Sequence, residues 1–192
     1  FVDIAGLVKG ASKGEGLGNK FLSHIREVDA IIHLVRCFES DKITHVNSNI
    51  NPAEDLETIK TEIILSDLDI IQKKLDKVKK KLLSDKEIKI LDNKSDQLSK
   101  SNEIKFNSKE EEKFLASIGL LSIKPKIIVC NVDEESLTTG NIFTEQVKKK
   151  YPDEKIIFIC ADIEDQLSGL EKNEKETFMQ EIGLERTGLK KL

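Results

Sequence analysis

Residues 1–19 read FVDIAGLVKGASKGEGLGN, and this stretch does more than any other to decide the fold. An apolar start runs into Asp3, and Gly6 follows three positions later. A strand that ends in D-x-x-G is typical of P-loop nucleotide hydrolases, in which the carboxylate holds the Mg²⁺ shell and the glycine amide contacts the γ-phosphate. Because a four-residue motif often matches by chance, the rest of the chain has to support this interpretation.

The phosphate loop that such an enzyme requires, G-x-x-x-x-G-K-[ST], occurs nowhere in the 192 residues. The chain also begins without Met, at Phe1, which the apolar pattern places inside the first strand. Two explanations stay open: the D-x-x-G interpretation is wrong, or the phosphate loop precedes Phe1 in a longer protein. We expect the second, in which case the isolated chain is a fragment that binds nucleotide weakly and is inactive.

Three further apolar runs predict buried parallel strands, because each is short, nearly continuous and rich in β-branched residues. They lie at 30–35, 126–130 and 156–160. Helical patterns fall between them, and this alternation predicts an α/β fold with a doubly wound, mostly parallel sheet of the P-loop NTPase type. Ligands bind such sheets at the carboxyl ends of the strands. We therefore expect one rim to gather Asp3, Gly6 and the segments 36–39, 131–134 and 160–162.

The segment between the first two of these runs has a different pattern, the a/d seam of a coiled coil. The first seam comprises Ile64, Leu68, Ile71, Leu75, Val78 and Leu82, and the second comprises Ile88, Leu91, Ser95 and Leu98. Ser108 and Glu111 have the spacing of a capping box, which predicts a further helix that Gly119 ends. We expect an antiparallel α-helical coiled-coil arm inserted into the sheet domain, with domains at 1–65, 66–122 and 123–192.

Charge and hydropathy limit the partners that the sequence supports. The 31 basic and 35 acidic residues give a net charge of −4, so global charge argues for neither DNA nor RNA binding. A lysine-rich stretch at 73–81 is either a solvated helix face or a local RNA contact. The sequence contains neither a long apolar run nor a signal-peptide pattern, so we expect a cytoplasmic protein without a membrane segment.

Cysteine and histidine spacing does not match a zinc motif. Cys37, Cys130 and Cys160 lie at the ends of predicted strands, and we expect them to be small buried apolar residues in a reducing compartment. His33 falls inside an apolar run, so we expect it in the core.

Several runs together resemble the YchF subfamily of Obg-like ATPases, in the TRAFAC class of P-loop NTPases. They are DIAGLVKGASKGEGLGNKFLSHIREVDAIIHLVRCFE, NPAEDLETI, KPKIIVCNVDE and FMQEIGLERTGL. The resemblance implies an ATP-preferring, Mg²⁺-dependent switch that associates with ribosomes, with a phosphate loop before this segment and a TGS domain after it. An Obg-type GTPase, or a non-catalytic scaffold that acts through its helical arm, remains an alternative.

The residue after the D-x-x-G glycine bears on catalysis. Leu7 stands where many GTPases have a Gln that orients the attacking water, and Leu cannot bind a water. Obg-like enzymes are similar in having an apolar residue there. Either another group in the chain orients the water, or hydrolysis is slow until a partner supplies one. His45, in a polar loop, is the candidate within the chain because a neutral imidazole accepts a hydrogen bond near pH 7. A surface histidine without a role is the alternative.

Base recognition is expected at Asn131-Val132-Asp133-Glu134, where GTPases of the wider family have N-K-x-D, with an Asn that braces the loop and an Asp that binds guanine. Val132 replaces the lysine that packs on the base, and Glu134 replaces the aspartate that binds guanine. Losing such a bidentate contact costs base discrimination, so guanine selectivity is not expected. The resemblance implies that adenine meets the backbone near Asn131 and Val132. A plain turn is the alternative.

Overall fold

The computed structural model of the protein describes residues 1–3, 17–40, 49–76, 83–100 and 103–192, with the backbone alone for 17–20. In chain order its elements are α1 (Leu17–Glu27), β1 (Ile31–Arg36), α2 (Pro52–Asp76), α3 (Asp85–Ser99), α4 (Lys109–Ser117), β2 (Lys126–Asn131), α5 (Ile142–Lys150), β3 (Ile156–Ile159), α6 (Ala161–Gly169), α7 (Lys172–Glu181) and α8 (Gly188–Lys191). None of the helices in this part of the chain is long and apolar enough to cross a membrane.

The three strands form one sheet in the order β1-β2-β3. β2 and β3 are parallel, with a register that runs from Ile128 opposite Ile156 to Asn131 opposite Ile159. At the ends of the β1–β2 pair, the Ile31 amide donates to the Pro125 carbonyl and the Cys37 amide to the Asn131 carbonyl, at 2.9 and 2.7 Å. Partner numbers that rise together are the mark of a parallel pair. The three predicted strands and their parallel direction are confirmed, but the burial predicted for the first is not, since Ile32 and Leu34 on β1 are 39% and 61% exposed.

The strand predicted at the start of the chain is wrong for the residues described. Residues 1–3 form no strand, and Phe1 and Val2 are 99% and 68% exposed. A strand is stabilised by ladder hydrogen bonds and by burial of alternate side chains, and these two residues bury little apolar surface. Asp3 is therefore an exposed residue near the chain start and does not follow a strand end.

The chain divides into two compact units. Unit 1 contains Phe1–Ile31 and Glu57–Pro125, and unit 2 contains Ile32–Leu56 and Lys126–Leu192. Unit 1 thus joins the predicted arm to the first residues of the chain. The three-domain division at 1–65, 66–122 and 123–192 stays a prediction.

The apolar core of unit 2 joins the sheet to α5 and α6. Val35 and Ile128 from the sheet, Val147 from α5, and Ile163 and Leu167 from α6 are all buried in one cluster. The three cysteines, Cys37, Cys130 and Cys160, are buried free thiols, which confirms their predicted place. They act as small apolar residues and carry no cross-link.

A second apolar cluster forms the core of unit 1, and it draws on both predicted seams. Its buried members are Ile71, Leu91, Leu98, Leu115 and Leu120, and Ile64, Leu68 and Leu75 pack against them. Val78 and Leu82 lie outside the described residues. Seam residues of α2 and α3 thus contribute to one apolar cluster, in which Ile71, Leu91 and Leu98 are fully buried.

Helix ends in unit 1 follow the predicted capping residues, with one difference. Ser108 accepts a hydrogen bond from the Glu111 amide at 3.1 Å, and α4 starts at the next residue. Gly119 follows the helix with φ of +80°, the left-handed conformation that glycine adopts most easily. The Glu111 carboxylate does not close the capping box. Instead it forms an ion pair with Lys94, which is fully buried.

Two ionisable groups in unit 1 are buried with partners. The Lys94 ammonium donates to the Lys105 carbonyl at 2.6 Å and to the Glu111 carboxylate. The Asp67 carboxylate accepts from the backbone amides of Leu121 and Ser122, both at 2.8 Å. Buried charges are tolerated when they are paired in this way, so these contacts connect the helices of unit 1.

His33 lies on β1 in a poorly solvated position, as its apolar surroundings predict. Burial, together with the positive charge of Lys126, lowers the pKa of His33 to about 4. Its Nε2 atom is buried without a hydrogen-bond partner in the described part of the chain. The imidazole is therefore neutral at physiological pH.

Candidate functional site

The carboxyl ends of the three strands meet at one rim of the sheet, where the sequence predicts ligand binding. Residues 37–40, 132–141 and 160–161 follow β1, β2 and β3 in turn. Side-chain hydrogen bonds from Asn131 and Asn141 connect these segments, in addition to the backbone hydrogen bonds of the sheet. The structure therefore brings three of the four predicted rim segments side by side.

Asn131 braces the loop after the neighbouring strand. It is the last residue of β2, and its Oδ1 accepts a hydrogen bond from the Ala161 amide at 3.0 Å. That bond fixes the start of α6 against the end of β2. This is the bracing role that the N-K-x-D comparison assigns to an asparagine at this place.

Val132 turns its side chain into the core of unit 2. It is 2% exposed, and its amide donates to the Ile159 carbonyl at 2.8 Å. A lysine at this place could reach a ligand with its cation, whereas the buried valine leaves only main-chain atoms for such a contact. The substitution noted in the sequence thus changes the chemistry offered at the rim.

Asp133 and Glu134 differ in how they are engaged. The Asp133 carboxylate accepts from the amide of Ser136, three residues on, at 2.9 Å, and residues 135–139 form a turn. Glu134 is exposed at the surface of this loop. The turn predicted as the plain alternative is therefore present, and it presents Glu134 to solvent.

Asn141 connects the loop after β2 to the end of β1, and sequence reasoning missed it. Its Oδ1 accepts from the Phe143 and Thr144 amides at 3.0 and 3.1 Å, which caps α5. Its Nδ2 donates to the Cys37 carbonyl at 2.7 Å and to the Ser136 hydroxyl at 3.2 Å. The available signal was a capping box, since Thr144 also accepts from the Asn141 amide.

Gly140 precedes this cap in a conformation that few other residues adopt. Its φ is +77°, and a Cβ there would lie 2.6 Å from the Thr144 hydroxyl and 3.0 Å from the Phe158 ring. Both the backbone angle and the close approach require glycine. The loop after β2 is therefore fixed at both ends, by Asn131 and by Gly140-Asn141.

Arg36 organises the segment after β1. Its Nε donates to the Phe38 carbonyl at 3.0 Å and an Nη to the Ser40 carbonyl at 3.2 Å, and the guanidinium lies 4.9 Å from the centre of the Phe38 ring. Carbonyl groups and an aromatic face thus surround this cation. Its charge therefore stabilises the described segment from Phe38 to Ser40.

The buried Cys37 thiol at the rim is not poised for nucleophilic chemistry. A hydrogen bond with Cys130, together with burial, raises the pKa of the Cys37 thiol well above its ordinary value. A thiol with a raised pKa stays protonated and is a weak nucleophile at neutral pH. These residues therefore support the rim structurally.

The remaining predicted site residues are placed as follows. Asp3 is exposed and belongs to unit 1, whereas Asn131, Val132 and Glu134 belong to unit 2. Gly6, Leu7 and His45 lie outside the described residues. Their roles stay predictions.

Metal binding depends on which donor side chains lie close together in the described part of the chain. Within the described ranges, no cluster of three or more His, Cys, Asp or Glu side chains could hold a metal ion. Mg²⁺, however, is usually held by one or two carboxylates together with phosphate oxygens and water. A single exposed carboxylate at Asp3 fits that donor set for an ion that arrives with a nucleotide.

A family model described as "50S ribosome-binding GTPase" matches residues 1–70. Curated relatives match over more of the chain than this family model does. The chain is 41% identical to "Ribosome-binding ATPase YchF" of Bacillus subtilis, with all of this chain and 56% of that protein covered. The Escherichia coli O157:H7 protein of the same name is 42% identical, with 100% and 55% covered. For the Mycoplasma genitalium protein the identity is 43%, with 96% and 53% covered.

A solved structure agrees with these matches. The Schizosaccharomyces pombe YchF GTPase aligns with a TM-score of 0.82 at 29% identity, over 97% of this chain and 54% of that chain. The sheet and helices described above therefore form a P-loop G-domain-like α/β fold. The chain spans about half the length of the relatives it matches.

Proposed function

Since the chain is a homologue of the YchF ATPases along its whole length, we propose that the protein is a nucleotide-dependent switch that binds and hydrolyses ATP and associates with ribosomes. The observation that carries the proposal is the hydrogen bond from the Ala161 amide to Asn131, which braces a rim loop where nucleotide hydrolases of this class bind the base. The homologues' names support the activity and the ribosomal partner.

The base preferred at this site follows from two side chains. A buried Val132 offers no cation to stack on the base, and Glu134 is one methylene longer than the guanine-binding aspartate. The site therefore lacks the contacts that select guanine, and the preference for ATP is supported by the names of the homologues. The second candidate is an Obg-type GTPase, which the description of the family model and the name of the fission-yeast protein favour.

The phosphate side of the site belongs to the first residues of the chain. Asp3 holds the Mg²⁺ shell and Gly6 donates its amide to the γ-phosphate. Mg²⁺ neutralises charge on the phosphate oxygens when it is bound. Because Leu7 cannot orient a water, His45 takes that task as a neutral imidazole.

The two seams of unit 1 form an antiparallel coiled-coil arm inserted between β1 and β2. Burial of Ile71, Leu91 and Leu98 in one cluster supports this arrangement. The arm adds an extended helical surface to this cytoplasmic protein. A scaffold that acts through the arm alone would need no nucleotide, so nucleotide binding separates the two functions.

The test titrates ATP and GTP against the full-length protein in the presence of Mg²⁺. We expect tighter binding of ATP, and equal or tighter binding of GTP would reject the ATP preference. Asn131→Ala should weaken nucleotide binding because it releases the Ala161 loop, whereas the exposed control Asn173→Ala on α7 should not. Equal affinities for the two variants would overturn the assignment of this rim.

A related expectation concerns the 192 residues alone. They contain no phosphate-loop sequence, so their ATP affinity should be weak. Micromolar binding of ATP by this chain, measured by calorimetry, would contradict that expectation.

A further inference from the structure

An open groove of about 720 Å³ lies along β3 in unit 2. One wall is the strand itself, through Ile156, Ile157 and Phe158, and the other is the segment 183–191 around α8. β3 is the last strand in the order β1-β2-β3, so the groove follows an outer strand of the described sheet. Nucleotide binding at the rim does not use these residues.

The groove is strongly basic in a chain whose net charge is −4. Its ionisable lining consists of Lys148, Lys155, Arg186, Lys190 and Lys191 against one carboxylate, Glu185. Positive charge is therefore concentrated here, although the protein as a whole is acidic.

Three of these cations are available to a ligand. Lys155, Arg186 and Lys190 are exposed, and in the described ranges none of them has a carboxylate within 4.0 Å, although the Lys155 ammonium donates a long hydrogen bond to the Lys191 carbonyl at 3.5 Å. Lys148, by contrast, pairs with Glu145 at 2.8 Å. Unpaired cations on one surface bind an anionic polymer with release of its counterions.

The groove also contains an aromatic ring. Phe158 is half-buried in its wall, and the Lys148 ammonium lies 4.9 Å from the centre of that ring. Cations beside an aromatic side chain are the combination that binds single-stranded nucleic acid, where phosphates pair with the cations and bases contact the ring. An acidic peptide would use only the charges.

We propose that this groove binds the phosphate backbone of single-stranded RNA, and the proposal rests on the ribosome association proposed above. The lysine-rich stretch at 73–81 is the other basic candidate for an RNA contact, and its described residues, 73–76, favour it less than the groove. Lys73 already pairs with Asp69 at 2.6 Å, so its charge is locally neutralised. The RNA contact is thus assigned to unit 2 and to β3.

The test measures binding of fluorescent oligouridine by anisotropy at several salt concentrations. The groove variant combines Lys155→Gln, Arg186→Gln and Lys190→Gln. Loss of three phosphate contacts should lower affinity on the order of 100-fold near 0.1 M salt and reduce the salt slope by about 2. Unchanged affinity in this variant would overturn the proposal.

A matched control neutralises three exposed lysines of unit 1, through Lys89→Gln, Lys109→Gln and Lys113→Gln. It should bind RNA like the unaltered chain, because it changes net charge by the same amount outside the groove. An equal loss in the control would show that net charge, not the groove, governs binding.

A charge-retaining variant guards against a simple loss of structure. Lys155→Arg, Arg186→Lys and Lys190→Arg keep the three cations, so this combination should bind oligouridine normally, and a loss equal to that of the glutamine variant would overturn the proposal. Polyglutamate should compete poorly; if it bound as tightly as RNA and with the same dependence on the three cations, the ligand would be an acidic peptide instead.

Sedimentation of the full-length protein with ribosomes tests the proposed ribosome association separately from RNA binding. Loss of cosedimentation in the groove variant alone supports the groove as the ribosomal contact. Full-length protein that binds oligouridine through the groove but never sediments with ribosomes would refute the proposed ribosomal association and leave RNA binding by the groove standing.

Discussion

Acidification should destabilise unit 2 through His33. The folded state holds this imidazole at a pKa of about 4, against 6.5 for the ordinary side chain. The unfolded chain therefore binds the proton more tightly. Stability that is fully present above about pH 6.5 is lost as the pH falls towards 4.

The size of the effect follows from these two values. As the pH falls from 7 to 5, the excess of protons bound by the unfolded state grows until, at pH 5, it holds nearly one proton more than the folded state. Integrating that difference gives a loss of about 2 kcal/mol in the free energy of unfolding. Below pH 4 both states are protonated, and His33 has no further effect.

Urea unfolding followed by circular dichroism at pH 7 and pH 5 measures this loss. In His33→Gln, which cannot titrate, the pH dependence should be smaller by about 2 kcal/mol. The control His24→Gln, at an exposed position on α1, keeps His33 and should behave like the unaltered chain. If the His33→Gln profile ran parallel to that of the unaltered chain, the reasoning from burial would be refuted.

Three further outcomes are expected. Lys94→Met should lower the free energy of unfolding, measured in urea, by about 3–5 kcal/mol because it leaves the Glu111 carboxylate buried without its cation. Adding Glu111→Leu should restore most of that stability, and a double variant as unstable as Lys94→Met would refute the pairing. Asn141→Ala should cost about 1–2 kcal/mol through the lost cap of α5, and a loss below about 0.5 kcal/mol would contradict that role. Leu7→Gln in the full-length protein should leave ATP hydrolysis measurable, whereas a variant that binds ATP but does not turn it over would count against a water oriented by another group.

Local sequence patterns predicted the strands and helices whose own residues are enough to identify them. The strands at 126–131 and 156–159 are short β-branched runs that are buried in parallel pairs, and the pattern needs no tertiary context. α5 has a capping residue before it and three lysines in its last turn, so its bounds were predictable. α6 was not predicted, because its first residue follows a cysteine without a side-chain cap and only two of its side chains are buried.

The candidate site was predictable only in part, because some of its contacts join residues that are far apart in the sequence. The bracing bond of Asn131 followed from a motif whose spacing is local. The bond from Asn141 to the Cys37 carbonyl joins residues 104 positions apart, so no local pattern reports it. The strand predicted at residues 1–3 failed because a strand needs a paired and buried neighbour, which an apolar dipeptide does not specify.

The side-chain amide of Asn141 uses its whole hydrogen-bonding capacity, because its oxygen accepts two bonds from α5 and its two N–H groups donate to the Cys37 carbonyl and the Ser136 hydroxyl. No other amino acid repeats that pattern from the same reach: Asp has no donor, Ser and Thr bear one proton, and Gln is a carbon too long. A library of all substitutions at this position, sorted for folded protein, should therefore return asparagine alone at the top rank, well separated from the residues that ordinarily begin helices.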